Sequence, residues 1–261
     1  MLEFSPLVHP FVSNPVAMAR YSIELMFDRE FYLSALPSSV AAVCHQSDWE
    51  VVRSISWAGT RFDAVVVPHW DEVDRRASAG LGAVTDYLTL RALSTLPTGV
   101  EIPWTAVDPI VAGFLVGDEC GLVSGSIRGI TSQLATPLSQ VVVVKVARHW
   151  RAITSVGVFA TDVPTTVILK HLPRQLEEIV TYSESRGTGL GYLRGSEIVT
   201  LVSPTGLPRP GLRRTRLFEV IYRNWLDQAA GTPANRNQAL SCFDGGSSSP
   251  LGRSSNSASR S

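Results

Sequence analysis

The hydrophobic residues of this chain fall into many short runs that are separated by glycine, proline, serine or threonine. Alternating or continuously apolar runs of this length, at roughly regular spacing, are typical of β-strands in a sandwich or barrel. A doubly wound α/β sheet would need an amphipathic helix between successive strands, and that rhythm is missing. The pattern therefore predicts a mainly β fold, a single jelly-roll-like β-sandwich or barrel with a few short helices. The predicted strands are residues 51–57, 61–67, 88–93, 100–107, 111–116, 122–130, 140–146, 153–159 and 165–169.

Three segments carry helix signals instead. Residues 28–36 begin at Asp28, a suitable N-cap, and stop at Pro37. Residues 173–180 form the clearest later helix. In the segment 215–230, apolar residues recur at helical spacing, which predicts a further helix.

Composition divides the chain into an irregular leader at 1–19, a β-rich core domain at 20–202, a basic arm with a possible helix at 203–230, and a Ser/Gly/Arg tail at 231–261. The tail has too few apolar residues to bury a core, so the sequence predicts that it is disordered. The leader lacks the basic start and the unbroken apolar run of a signal peptide. No run approaches the length of about 18 apolar residues that a membrane-spanning helix needs, so no transmembrane span is predicted.

The formal net charge of zero hides an asymmetry. Residues 1–202 carry a net charge of about −5, and residues 203–261 carry about +5. Among the 23 basic residues, only Lys145 and Lys170 are lysines. Two interpretations of this arginine excess stay open: a GC-rich coding sequence, or contact with phosphates, which the guanidinium fork binds bidentately.

The basic arm is the strongest local signal, because its arginines are interleaved with aromatic residues. Cations neutralise phosphates and release counterions, and aromatic rings offer stacking faces to any base. The arm therefore predicts binding to single-stranded nucleic acid without sequence preference. The alternative is a solvated helix face beside an apolar stripe. The candidate binding residues are Arg209, Arg213, Arg214, Arg216 and Arg223.

Other clusters carry weaker chemical signals. His69 is closely followed by Asp71, Glu72 and Asp74; a divalent cation would need such oxygens to converge, and a solvated loop is the alternative. The glycine-rich segment 187–195 matches no phosphate-binding motif and predicts a loop or hairpin turn. The three cysteines have no metal-site spacing. The sequence thus predicts no catalytic residue, no metal and no cofactor, and an enzyme that uses His69 is the weakest alternative.

Several motifs occur in a characteristic order between residues 22 and 180. A short helix ends in Leu-Pro-Ser, two strands and an acidic loop follow, and a strand, a turn with proline and glycine, and another strand lead to Asp108. Two late strands close the order. The segments are 28–38, 52–56, 62–67, 72–74, 87–93, 96–99, 100–108, 140–146 and 156–159. In pattern and order, this region resembles the superfamily of plant-virus cell-to-cell movement proteins typified by that of tobamoviruses.

The resemblance implies a jelly-roll domain with no enzymatic activity and no small-molecule substrate. Proteins of this family bind single-stranded RNA or DNA without sequence preference, self-associate into oligomers or tubules, and carry nucleic acid between host cells. The implied location is the host cytoplasm and the plasmodesmata, with host plasmodesmal or membrane-associated proteins as partners.

The resemblance also implies that Asp108 is the aspartate shared by the family, with a structural role. Pro109 and Ile110 stand where the family usually has a basic residue. The alternative to a movement protein is a β-sandwich structural or capsid-like protein whose basic arm contacts nucleic acid.

Overall fold

The computed structural model describes residues 27–115, 123–125, 129–132, 134–205 and 209–231. The predicted leader at 1–19 and the predicted tail beyond Gly231 lie outside these residues. In chain order, the described elements are α1 (Arg29–Ser34), α2 (Ser38–Gln46), β1 (Glu50–Trp57), β2 (Thr60–Pro68), α3 (Trp70–Ser78), α4 (Tyr87–Ser94), β3 (Glu101–Pro103), a 3₁₀ turn (Trp104–Ala106), α5 (Pro109–Leu115), β4 (Val123–Gly125), β5 (Gly129–Ser132), β6 (Leu138–Ala147), α6 (Ala152–Gly157), β7 (Thr165–Leu169), α7 (Leu176–Ser185), β8 (Gly189–Arg194), β9 (Glu197–Val202) and α8 (Leu212–Gly231).

The described residues form two compact units. Unit 1 takes its described residues from Met1–Val67 and Gln140–Arg209, and unit 2 takes them from Pro68–Ser139 and Pro210–Ser261. Unit 2 thus interrupts unit 1 in the sequence between β2 and β6, and α8 belongs to unit 2. The sequence predicted a single core domain up to residue 202 with a separate arm after it, and the observed division differs from that prediction.

Unit 1 is built on a mixed sheet with the strand order β1-β2-β6-β7-β8-β9. The pairs β1–β2 and β8–β9 are antiparallel, whereas β6, β7 and β8 are parallel neighbours. Parallel neighbours need a crossover connection, which α6 and α7 supply here. The predicted jelly roll is not confirmed, because such a fold is made of antiparallel strands. The predicted mainly β content is also corrected, since more of the described residues lie in helices than in strands.

Three runs that were predicted as strands form helices. Residues 88–93 lie in α4, residues 111–115 of the predicted run lie in α5, and residues 153–157 lie in α6. A short apolar run alone does not distinguish a strand from a buried helix. At α4, a residue before the run favours the helix: Asp86 is its N-cap and accepts a hydrogen bond from the Thr89 N–H at 2.7 Å.

Other boundaries differ for identifiable reasons. The predicted strand 100–107 is reduced to β3, because the chain turns at Pro103 into the 3₁₀ turn. Helices α2 and α3 were not predicted. Their N-cap residues, Pro37 and His69, make no side-chain capping bond, so the usual start signal is missing from both.

Different groups of helices cover the two faces of the unit 1 sheet. Helices α1 and α2 pack against one face through a cluster that includes Tyr32, which is 1% exposed. On the other face, Phe159 follows α6 and lies 5.7 Å from the ring of Trp57 and 5.0 Å from that of Phe62. Alternate residues of a strand point to opposite faces, which separates Phe62 from Asp63.

Unit 2 contains a small antiparallel sheet of order β3-β5-β4 and four helices of the described chain, α3, α4, α5 and α8. Helix α4 packs against α5 and α8. Helix α8 carries charged side chains along its 20 residues. Within the described ranges, no helix combines the length and the apolar content that crossing a membrane requires.

A buried ion cluster links α3 to α8 inside unit 2. The fully buried Arg76 donates to Glu72 at 2.7 Å and to both carboxylate oxygens of Glu219 at 2.8 and 2.9 Å. Glu219 also accepts the Val84 N–H at 2.8 Å. Burial alone would raise the pKa of Glu72, but hydrogen bonds from Arg75 and Arg76 outweigh burial and hold that pKa below its ordinary value. Each buried charge in this cluster is therefore paired.

Candidate anion-binding site

Four of the five arginines predicted to bind nucleic acid lie on α8, whose apolar stripe is buried at Leu217 and Ile221. Arg209 precedes the helix and belongs to unit 1, where its N–H donates to the Thr161 carbonyl oxygen at 3.0 Å. The predicted arm is therefore largely a packed helix. The apolar spacing visible in the sequence decides this outcome, because burying the stripe stabilises the helix in place.

Two arginines of α8 lie against aromatic rings of unit 2. The guanidinium of Arg214 is 5.0 Å from the ring centre of Phe218, and that of Arg216 is 5.5 Å from the ring centre of Tyr87. Both arginines are half-buried. Their charged groups are held by these contacts and are less accessible to a ligand than the sequence suggested.

The other two arginines of α8 face solvent. Arg213 is exposed, and Arg223, with 63% of its side chain exposed, lies 4.0 Å from Asp227. At 100° per residue, Arg213 and Arg223 are about 80° apart around the helix axis, so both exposed guanidinium groups lie on neighbouring parts of the helix surface. This side of α8 is accessible to an anionic partner.

The sequence predicted Asp108 at the end of a strand. In the structure, Asp108 instead directly precedes helix α5. Its side chain accepts a hydrogen bond from the Ile110 N–H at 2.8 Å and is exposed. This is the contact of an N-cap, which satisfies a backbone donor that α5 leaves open.

The cluster around His69 does not converge on a common site. On α3, Glu72 is buried in the ion cluster, whereas Asp71 and Asp74 are exposed. Across the described residues, no group of three or more His, Cys, Asp or Glu side chains is arranged to hold a metal ion.

A cationic cleft lies in unit 1, where sequence reasoning identified no site. It has a volume of about 340 Å³ and lies between α1 and strands β1, β2 and β6. Lys145 comes from the carboxyl-terminal part of β6, and Lys170 directly follows β7. Ligands commonly bind outside the carboxyl ends of parallel strands. The residues that line the cleft are Phe27, Tyr32, Arg53, Ser54, Arg61, Phe62, Asp63, Val144, Lys145, Val146 and Lys170.

A β-bulge shapes one wall of this cleft. The pairing of β1 with β2 shifts register between Val52 and Ile55, and Ser54 within the bulge has a φ of 58°. Asp63 holds this strained conformation, because one of its carboxylate oxygens accepts the Ser54 N–H at 2.8 Å. Bulges and strained residues of this kind are concentrated at functional sites.

The other oxygen of the same carboxylate accepts the Tyr32 hydroxyl at 2.8 Å. Burial raises the pKa of the Tyr32 phenol, and the negative charge of Asp63 raises it further. Tyr32 therefore stays protonated and keeps donating to Asp63. Both oxygens of this carboxylate are thus satisfied by neutral donors, which makes Asp63 a structural support of the wall.

Three cations of the cleft, Lys145, Lys170 and Arg61, have no carboxylate partner among the residues that the structure describes. The Lys145 ammonium is half-buried and donates to the Arg61 carbonyl oxygen at 2.9 Å, and burial lowers its pKa. Arg53 is the fourth basic residue that lines the cleft. Its guanidinium donates to the Phe27 carbonyl oxygen at 2.7 Å. The lining residues carry a formal charge of about +3.

A wider groove adjoins the cleft and shares Phe27 and Lys170 with it. The groove has a volume of about 960 Å³. Phe27 stacks on the buried Phe31 beside the groove, with ring centres 4.0 Å apart, and the exposed His171 also lines the groove. Together the two spaces offer cations beside an aromatic wall, an arrangement that suits a phosphate with an attached planar group.

Sequence reasoning missed this site because its residues are far apart in the chain. One signal was available: Lys145 and Lys170 are the only lysines in a chain whose other 21 basic residues are arginines. Each of them also follows a continuous apolar run that forms a strand. Two lysines at adjacent parallel strand ends meet in one cleft.

The cleft of unit 1 and the exposed arginines of α8 are two cationic features of the described residues that an anionic partner could contact. Their own geometry carries the functional argument. No family model, no curated protein and no solved structure matches this chain.

Proposed function

We propose that this protein binds single-stranded RNA or DNA without sequence preference, and that the cationic cleft of unit 1 is its main phosphate contact. One observation carries the proposal: Arg61, Lys145 and Lys170 line a single cleft, and no described carboxylate pairs with them. Phe27 supplies an aromatic side chain at the same place.

Electrostatics favours an anion at this position. A half-buried ammonium loses part of its hydration, which makes its charged form less stable. A nearby anion stabilises that charge, and the attraction is stronger than in bulk water because less water screens it. A phosphate that reaches Lys145 and Lys170 also releases counterions from the nucleic acid. These contacts involve the backbone that all sequences share, so they support binding without sequence preference.

The solvent side of α8 is a second contact within the same proposal. Arg213 and Arg223 present exposed guanidinium groups there. Exposed cations neutralise phosphates mainly by long-range attraction, which salt screens strongly. We therefore assign to α8 a smaller and more salt-sensitive contribution than to the cleft.

Replacing Lys145 with glutamine is expected to weaken binding about tenfold, because one charge-assisted hydrogen bond to phosphate is lost. Lys170→Gln is expected to have a similar effect. The measurement is fluorescence anisotropy with a short labelled oligonucleotide of mixed sequence, as DNA and as RNA, at several salt concentrations. The dependence of log Kd on log salt should become shallower by about one with each lysine removed.

Arg148→Gln is the matched control for these variants. Arg148 is an exposed cation just after β6 that does not line the cleft, so its replacement should change Kd by about twofold or less. Far-UV circular dichroism checks that each variant is folded. If Lys145→Gln/Lys170→Gln binds as tightly as the parent while Arg213→Gln/Arg223→Gln binds more weakly, the phosphate contact is on α8 and not in the cleft.

Hydrolysis of the bound strand is a second candidate function, and it differs from the non-enzymatic role expected from the resemblance. The observation in its favour is that a half-buried lysine of lowered pKa lies in the same cleft as the strained Ser54. Water would attack phosphorus and release one proton to solvent, the P–O bond to the leaving oxygen would break, and the Lys145 ammonium would give its proton to that oxygen. Solvent would then return a proton to the Lys145 amine.

On a denaturing gel, this activity would shorten the labelled strand, and Lys145→Met would slow the reaction by about a hundredfold. An intact strand after long incubation of the parent protein with divalent cations would leave binding as the function of the cleft.

Transport of nucleic acid between cells through plasmodesmata, with self-association, stays a prediction of the resemblance. A fluorescent fusion expressed in leaf epidermis tests it. Puncta at the cell walls would support transport, and uniform cytosolic fluorescence would count against it.

A further inference from the structure

We infer that the cleft of unit 1 takes the terminal phosphate monoester of a strand, in preference to the phosphodiesters within it. This inference rests on the proposed function and narrows it to a chemical class of ligand, a single-stranded nucleic acid with a phosphorylated end.

The charge of the cleft matches a monoester better than a diester. Four cations and one carboxylate line the cleft, and the carboxylate of Asp63 is already satisfied by Tyr32 and Ser54. A phosphodiester brings a single negative charge. A terminal phosphate brings a charge of about −1.5 to −2 at neutral pH and three acceptor oxygens. A terminal phosphate therefore offers one acceptor oxygen for each of Lys145, Lys170 and Arg61, which line the same cleft.

The shape of the cleft also favours an end. Two of the residues that line it are almost fully buried, Tyr32 at 1% and Val144 at 0% exposure, so these residues close its inner side. The wider groove of about 960 Å³ adjoins it and shares Phe27 and Lys170 with it. A strand that places its last phosphate in the small space can continue along the wider groove, where the partly buried Phe27 offers an aromatic side chain.

The half-buried position of Lys145 strengthens this preference. Its ammonium donates to the Arg61 carbonyl oxygen at 2.9 Å. Exchange of a neutral carbonyl for a doubly charged phosphate gains more at a half-buried site than at an exposed one, because water screens the attraction less. Exposed cations such as Arg213 and Arg223 on α8 should not distinguish the two kinds of phosphate.

The test compares three labelled oligonucleotides of one sequence, with a 5′-phosphate, with a 3′-phosphate, or with hydroxyl groups at both ends. At physiological salt, at least one phosphorylated strand is expected to bind about tenfold more tightly than the hydroxyl-ended strand. The two phosphorylated arms show which end the cleft takes. Lys145→Gln should abolish the difference, and Arg148→Gln should preserve it.

Two results would overturn the inference, and they differ in what they leave standing. If all three strands bind equally and Lys145→Gln weakens them equally, the cleft contacts internal phosphates; the end preference is then wrong and the proposed function stands. If the three strands bind equally and neither Lys145→Gln nor Lys170→Gln has an effect, the cleft is not a contact, and both proposals about it are wrong.

Discussion

Replacement of Arg76 with alanine is expected to lower the free energy of unfolding by about 3–5 kcal/mol. Arg76 is fully buried and pairs with Glu72, which is 4% exposed, and with Glu219, which is 0% exposed. Without the guanidinium, two carboxylates remain in an environment that water does not reach. Urea unfolding followed by circular dichroism measures the loss, as a shift of the midpoint at constant slope.

Arg75→Ala is the matched control, because Arg75 binds the same Glu72 at 2.7 Å but keeps 31% of its side chain exposed. A partly solvated pair contributes little, so a loss of about 1 kcal/mol or less is expected. Equal losses for Arg75→Ala and Arg76→Ala would show that burial of the cluster does not govern its contribution. In a further variant, Arg76→Met/Glu72→Leu/Glu219→Met, much of the stability should return, since no buried charge is left unpaired.

Phe159→Ala is expected to destabilise the protein by about 3–5 kcal/mol, the usual cost of deleting a buried aromatic ring. Phe159 is 0% exposed and lies between the rings of Trp57 and Phe62 on the α6 side of the sheet. Its removal leaves a cavity beneath two aromatic residues. The same urea titration measures the loss, and tryptophan emission shifts if water reaches Trp57.

Val158→Ala is the control for this variant. Val158 is the preceding residue and is 44% exposed, so its truncation should change stability by about 0.5 kcal/mol or less. A small loss for Phe159→Ala would mean that the ring contacts are replaced by repacking and that this side of the sheet tolerates a cavity.

The strands of unit 1 were largely predictable from the sequence. The runs at 51–57, 61–67, 140–146 and 165–169 all form strands, because they are rich in β-branched residues and end at glycine, proline or polar residues. The helix predicted at 28–36 is confirmed, with Asp28 accepting the Phe31 N–H at 3.0 Å. The signals for these strands and this helix lie within each segment or directly beside it, so a local sequence pattern is enough to predict them.

The helices of unit 2 show where the local pattern fails. In 88–93, leucines alternate with polar residues, as they do in a half-buried strand. The segment is a helix because Asp86 caps its first turn and because Leu90 and Leu93 are buried within unit 2. The alternation within the run shows neither cause, since a short run satisfies both periods equally. The parallel arrangement of β6, β7 and β8 likewise depends on how helices cross the sheet.

The candidate site shows the same limit. Charge clustering drew attention to Arg213, Arg214 and Arg216, which are neighbours in sequence, but packing holds two of them against rings. The cleft joins Asp63 to Lys145 and Lys170, residues from separate strands. The adjacency of β2, β6 and β7 in the sheet brings these residues together, and the bulge in β1 shapes the wall beside them.

The ion pair between Arg76 and Glu219 also constrains the order of events during synthesis. The two residues are 143 positions apart, so the ribosome must add nearly all of the described chain before the second carboxylate reaches Arg76. Until then, Glu72 is the only one of the two carboxylates that can pair with Arg76. The apolar stripe of α8 has also not yet packed against the other elements of unit 2. A nascent chain of this protein therefore completes unit 2 late, and an early stop codon before residue 219 would leave it exposed to chaperones and proteases.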